Sequence, residues 1–371
     1  MKNIKMLDLQ EQYFNLKEEI LPALEEVMES SSFILGKQVT TLEESIAEYS
    51  NVKYGIGVGN GSDAIHIALQ AAGISKGDEV ITTPFTFFAT SGAIVRANAK
   101  PVFVDIDPIT FNIDPTKIEE VITEKTRAIV PVHLYGHMAD MEEIMRIANK
   151  YNLVVIEDAA QAIGATMNGK SIGDISTAAT LSFFPTKNLG GYGDGGMIVT
   201  NNQNISEKCK VIRVHGSKPK YHHHVLGYNS RLDELQAAIL NIKLQKLEEF
   251  NDARRAIAQY YTTELNKKIS EHVITPVELE GYHHVYHQYT LRVKDRDELQ
   301  KYLKEQGIST MIYYPIPLHL QPVFSDLNYH LGDFVETEKA MNEVISLPIW
   351  PEMKKEDQDY ILEKMERFYL L

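Results

Sequence analysis

What the chain has little of narrows its class first. Only one of its 371 residues, Cys209, is a cysteine, so an intramolecular disulfide is impossible and cysteine-based zinc sites are all but excluded. No stretch approaches the roughly 18 consecutive apolar residues of a membrane span. Basic excess is also missing: 37 Lys and Arg face 51 Asp and Glu, a net charge of −14. Nucleic-acid binders take most of their affinity from basic surface, so DNA or RNA is a poor partner. A small anion remains open, because a helix N-terminus can hold a phosphate inside an acidic protein. Low-complexity segments and internal repeats are absent. The opening MKNIKMLDLQEQYF mixes charge with apolar residues too early for a signal peptide. A reduced, cytoplasmic protein is expected. At 44% hydrophobic and 24% charged residues, the chain is ordinary globular material, long enough to bury its core without metal or disulfide. At about 150 residues per domain it should hold two.

What is present is an alternation of short Val- and Ile-rich runs with amphipathic stretches. The runs are YGIGVG (54–59), DEVITT (78–83), KPVFVDID (100–107), RAIVPVHLYG (127–136), LVVIED (153–158), AATLSFF (178–184) and GGMIVT (195–200). Runs of 4 to 8 such residues are typical of buried strands. Helical patterns separate most of them, among them SDAIHIALQAAG after Gly61 and PTKIEEVIT after Asp114. This predicts an α/β layer structure with a mostly parallel sheet, its ligands gathered at the carboxyl ends of the strands.

The character changes near residue 230. Ser230, Arg231, Leu232 and Asp233 fit a capping box, and Leu232, Leu235, Ile239 and Ile242 share one face of a helix expected to run past residue 260. A smaller unit follows, with strands at VYHQYTLRV (285–293) and STMIYY, a helix at DRDELQKYLKEQG and a closing helix at KKEDQDYILEKMERFYLL. The expected division is residues 1–245 and 246–371.

The pair that speaks most clearly of chemistry is Asp158 and Lys187, 29 residues apart. Asp158 ends the run LVVIED, which places its carboxylate at the carboxyl edge of the sheet. Lys187 lies in SFFPTKNLGGYGDGG, just after a strand-like run. A lone lysine in a turn is usually a solvated surface group. Lysine and strand-end acid together are what pyridoxal phosphate requires: an amine for the Schiff base and a carboxylate that keeps the pyridine nitrogen protonated. GVGNGSDAIHIAL adds Gly59, Gly61, Ser62 and Asp63 between a strand and a helix N-terminus, where backbone N–H groups can meet an anion. The same pattern also suits a plain turn before a capped helix. It is neither a P-loop nor a full dinucleotide fingerprint, which speaks against a nicotinamide dehydrogenase. In PFTFFAT (84–90), two of Phe85, Phe87 and Phe88 are expected in the core, and one could stack on a planar ring.

Taken in order, FILGKQVTTLE, GNGSDA, PFTFFAT, PVFVDID, VHLYG, IEDAAQAIGA, SFFPTKNLGGYGDGG, GYNSRLDELQAAIL, YYPIPLH and SLPIWP resemble the nucleotide-sugar aminotransferases of the DegT/DnrJ/EryC1/StrS family across essentially the whole chain. The resemblance implies the aspartate aminotransferase-like fold (fold type I), with a large domain that binds pyridoxal 5'-phosphate and a smaller C-terminal α+β domain. It implies that Lys187 carries the cofactor and later moves the proton, and that Asp158 pairs with the pyridine nitrogen. Gln161 would sit near the ring's phenolic oxygen, and Phe87 would stack where many relatives have Tyr or Trp. Gly61 and the backbone of Ser62 and Asp63, with the Ser182 hydroxyl, would hold the phosphate. Asn229 would reach that phosphate from a neighbouring subunit, so that a homodimer shares its active sites.

The implied activity moves an amino group from L-glutamate to carbon 3 of a nucleotide-linked 3-keto sugar, in polysaccharide or antibiotic sugar biosynthesis. Two substrates compete: a UDP-linked 2-acetamido-3-keto-hexuronate, whose carboxylate would suit Arg231, and a dTDP-linked 3-keto-6-deoxyhexose. Tyr314 and His319 would border the substrate. Sugar dehydratases of this fold carry histidine at the lysine position, and Lys187 therefore favours amino transfer. A non-catalytic regulator that keeps the cofactor is a further alternative. No metal is expected: His222, His223 and His224 are adjacent in sequence and lack acidic neighbours. His283, His284 and His287 read as structural, and Trp350 as core of the smaller unit.

Overall fold

A computed structural model describes residues 2–370. All seven Val- and Ile-rich runs are strands of one sheet. They are β1 (Tyr54–Val58), β2 (Glu79–Thr82), β3 (Lys100–Phe103), β4 (Thr126–Ile129), β5 (Val154–Asp158), β8 (Ala178–Ser182) and β9 (Gly196–Thr200), with the two-residue β6 (Thr166–Met167) and β7 (Lys170–Ser171) lying between β5 and β8. The order across the sheet is β1-β9-β8-β5-β4-β2-β3. Pairing is parallel from β8 to β3, and β9 runs antiparallel to both its neighbours. The sheet is therefore mostly parallel, as expected.

Alternate side chains feed cores on both faces, which is why these strands read as continuous apolar runs. Ile81, Ile129, Val155 and Val199 pack on one side with α2 (Lys37–Tyr49) and α5 (Met141–Tyr151). Ile56, Val80, Ile156 and Ile198 pack on the other with α3 (Gly61–Ala71), α4 (Phe88–Arg96) and α6 (Gln203–Ile212). A long helix, α1 (Leu9–Ser30), lies against α7 (Glu234–Leu244), where Leu16 and Ile20 meet Ile239.

A second core is built from α8 (Leu247–Ile269), the antiparallel sheet β10 (Val273–Ile274), β12 (Tyr289–Val293) and β13 (Val344–Leu347), α9 (Arg296–Glu305) and α11 (Lys355–Leu370). Trp350 is buried in it, and so is Ile4, which bridges to Ile308. The remaining elements are β11 (Tyr282–His283), paired with β6, and α10 (Val335–Glu343). No described helix is long and apolar enough to cross a membrane.

Five expectations need correction. PTKIEEVIT forms two single 3-10 turns at Pro115–Lys117 and Glu119–Val121. STMIYY forms no strand beyond a bridge from Met311 to Ser346, and VYHQYTLRV becomes a strand only from Tyr289. Ser230 does not cap a helix. Its hydroxyl donates to Asp63 and accepts from the Gly59 N–H, and α7 begins after Asp233 without a side-chain cap. Nor does one helix run past residue 260, because α7 ends at Leu244 and α8 starts afresh at Leu247. Glu234 also has a distant role. Its carboxylate accepts N–H groups of Gly36, Gln38 and Val39 at 2.8–2.9 Å and caps the start of α2, where negative charge is favourable.

Candidate active site

The parallel strands all end on one edge, and the singled-out residues gather there. β5 ends at Asp158 and β8 at Ser182; the turn after β1 carries Gly59–Asp63, and the turn after β2 carries Phe85–Phe88. Asp158 is 5% exposed. It accepts hydrogen bonds from the Thr90 hydroxyl at 2.7 Å and the Ala160 N–H at 3.2 Å, and among the described residues no Lys, Arg or His forms an ion pair with it. It attracts the ammonium of Lys187, half-buried in the loop after β8. Desolvation pulls the Lys187 ammonium down to about 8, against the opposing attraction of Asp158.

Gln161 is held at both ends of its amide. Its Oε1 accepts the Tyr135 N–H at 2.6 Å, and its Nε2 donates to the Tyr314 hydroxyl at 3.2 Å. Burial, reinforced by the nearby Asp158 charge, pushes the Tyr314 phenol well above its ordinary value. The Phe87 ring is 59% exposed, with its centroid 6.2 Å from that of Tyr314. Phe85 is buried, whereas Phe88 is half open and lies 5.7 Å from Phe324. One phenylalanine of this group is therefore core, not two.

The turn before α3 has the shape of an anion cradle. A Cβ on Gly61 would stand 2.7 Å from the Ser182 Cβ, so only glycine lets the turn lie this close to the end of β8. As the first residues of α3, Gly61 and Ser62 have no carbonyl one turn back to accept their N–H groups. The Asp63 N–H does not join them, which corrects the expectation for that amide. It donates to the Asn60 side chain at 2.8 Å, while the Asp63 carboxylate accepts from Ser230 and Arg96.

The outer residues divide. Asn229 is exposed, and its side chain makes no hydrogen bond among the described residues. Arg231 is half-buried, with an Nε that has no partner among the described residues. The expectation that His319 borders a substrate fails. The residue is buried, with the imidazole 3.1 Å from Glu338 and packed against Phe334. His223 and His224 bind the carbonyls of His215 and Lys218. Sequence reasoning missed Thr90, Tyr135 and Asn188 altogether, and it assigned no chemistry to His287. Their roles depend on partners 26 to 99 residues away, and no local pattern signals those.

The chain is 65% identical over 367 residues to a "Pleiotropic regulatory protein" of Geobacillus stearothermophilus, with 99% of each chain covered. It is 46% identical to the dTDP-3-amino-3,6-dideoxy-alpha-D-galactopyranose transaminase of Aneurinibacillus thermoaerophilus, over 98% of this chain and 99% of that one. Among solved structures, S. venezuelae DesV in complex with a ketimine intermediate superposes with a TM-score of 0.97 at 37% identity, covering all of both chains. The model of the DegT/DnrJ/EryC1/StrS aminotransferase family matches residues 15–366, and this chain belongs to that family.

Proposed function

We propose that the protein is a pyridoxal phosphate-dependent nucleotide-sugar aminotransferase that places an amino group from L-glutamate on carbon 3 of a 3-keto sugar. The observation that carries this reading is a buried strand-end carboxylate, Asp158, whose charge acts on a desolvated lysine, Lys187, with a glycine-tight helix start at the same edge of the sheet.

These residues fit the cofactor. Asp158 has only a hydroxyl and an amide as partners, which suits a carboxylate facing a pyridinium. The Gly61 and Ser62 amides at the start of α3, with the Ser182 hydroxyl at the end of β8, suit a phosphate. When bound, pyridoxal phosphate supplies a carbonyl that links to amines and a ring that accepts electrons. The rest of the chemistry falls to the chain. With the cofactor bound, Lys187 as a neutral amine would hold its carbonyl carbon and would afterwards carry the proton to and from the reacting carbon. Asp158 would hold the ring's positive charge, Gln161 would orient the ring, and Phe87 would cover it. Asn229 reaches across a homodimer into the partner's site, and Arg231 and Tyr314 face the sugar. The division near residue 245 and a cytoplasmic location belong to the same reading.

A spectrum of the purified protein with pyridoxal phosphate, before and after L-glutamate, tests it. A yellow band that bleaches with glutamate is expected, followed by an aminated product from a UDP- or dTDP-linked 3-keto sugar. A UDP-hexuronate that reacts only while Arg231 is intact would mark the carboxylate-bearing substrate. No band, or a band indifferent to glutamate, ends the proposal. The 65% identical relative named as a pleiotropic regulatory protein favours one second reading, a cofactor-binding regulator. Its signature is a stable band with no turnover of glutamate or keto sugar.

A further inference from the structure

Behind the Lys187 loop runs a chain of hydrogen bonds whose direction is fixed by backbone carbonyls. Asn251, buried on α8, donates its Nδ2 to the Ile163 carbonyl at 3.2 Å. Its Oδ1 must then accept, and it does so from Asn188 Nδ2 at 2.8 Å. That same Nδ2 also donates to the Val285 carbonyl at 3.1 Å, so Asn188 Oδ1 is an acceptor. It lies 3.1 Å from His287 Nδ1. His287 Nδ1 therefore carries the proton and Nε2 keeps the lone pair. The backbone of His287 is pinned as well, because Arg254 donates to the carbonyls of Tyr286, His287 and Ile349 at 3.1–3.4 Å.

From this arrangement we propose that His287 is a positioning residue for Lys187. As a single tautomer it clamps Asn188, the next residue in the chain, and ties the lysine loop to the segment after Gln161. The proposal rests on the reading that Lys187 carries the cofactor. Burial, with the charges of Lys187 and Arg254, holds the His287 pKa well below its ordinary value, so the ring stays neutral and adds no charge beside the lysine. His287 is only 8% exposed, and the clamp links four segments distant in sequence. A loop displaced by an ångström can cost on the order of a hundredfold in rate.

The test compares His287→Gln, whose amide can still donate to Asn188, with His287→Phe, which cannot. With cofactor and substrates saturating, kcat is expected to fall about tenfold or more in His287→Phe, with KM for the keto sugar within about twofold. The pH at which the lysine–cofactor band changes should shift in the same variant, and His287→Gln should recover both. Nitrogen-15 NMR of the parent protein without cofactor should show a neutral His287 protonated at Nδ1, its signals assigned by their loss in His287→Gln. That measurement decides the tautomer even if His287→Phe does not fold. A ring charged at about pH 7 or protonated at Nε2 overturns the proposal. So does a folded His287→Phe with the parent's kcat and band. A parent that forms no band defeats the cofactor reading instead, while the tautomer measurement still stands.

Discussion

The Thr90 hydroxyl donates to Asp158 Oδ2 at 2.7 Å, at the one edge of the sheet where ligands can gather. Thr86 lies 3.1 Å behind Thr90. Because the Thr90 proton is committed to the carboxylate, Thr86 must donate to Thr90, and the short chain points toward Asp158. Thr90→Val keeps the shape and removes the donor. With Asp158 buried, losing that bond should cost about 1–3 kcal/mol in denaturant titrations. The freed carboxylate should also turn from its present direction, weakening cofactor binding and slowing turnover about tenfold. A Thr90→Val protein with the parent's stability and rate would show that Thr90 is only packing.

Lys187 gives a pH prediction with a definite sign. Desolvation lowers its pKa from 10.5 to about 8 in the folded chain, so between these values the unfolded chain binds more protons at this residue. Its contribution to the stability of the cofactor-free protein therefore rises as pH increases from about 8 to about 10.5. On the proposed reading, the free amine is also the form that captures the cofactor. Capture, followed by growth of the visible band after mixing, should accelerate with a midpoint near pH 8. A midpoint near the ordinary lysine value would mean that the amine is solvated and the site is not formed. Lys187→Ala should show neither band nor turnover.

Much of this was legible before any coordinates, for reasons that differ by residue. The seven large-sheet strands announce themselves because a strand buried on both faces needs an unbroken apolar run, and YGIGVG or LVVIED have few other uses. Asp158 and Lys187 stand out because each follows such a run, which fixes them at the sheet's edge. Ser230 misled because its local pattern is that of a helix cap, whereas its hydroxyl is taken by Gly59 and Asp63, about 170 residues away. His319 misled in the same way: its ring is taken by Glu338 and Phe334. Asn188, Asn251 and His287 carry no motif, since their order arises only when three distant segments meet.

Gly61 offers a steric test of the phosphate cradle. An added Cβ would stand 2.7 Å from the Ser182 Cβ, and two neighbouring backbones would have to separate. Gly61→Ala should weaken pyridoxal phosphate binding by about tenfold or more while leaving the sheet formed, because the strain falls on the turn rather than on β1 or β8. Equilibrium dialysis checks the affinity and far-UV circular dichroism the fold. Unchanged affinity would move the phosphate elsewhere.

Asn229 and Lys187 together test whether sites are shared between subunits. Asn229 is exposed and makes no side-chain hydrogen bond within the described chain, so Asn229→Ala should leave its stability within about 0.5 kcal/mol of the parent. If Asn229 completes the partner's phosphate site, Asn229→Ala still lowers cofactor affinity, and Lys187→Ala is inactive. Mixing the two variants as unfolded chains and refolding them together then gives hybrid dimers. In each hybrid, the subunit with Lys187 intact receives Asn229 from the subunit that lacks the lysine, which makes one complete site. Activity at limiting cofactor should therefore rise above that of either variant refolded alone. If Asn229 instead serves its own chain, no hybrid contains a complete site, and the mixture stays at the average of its parts.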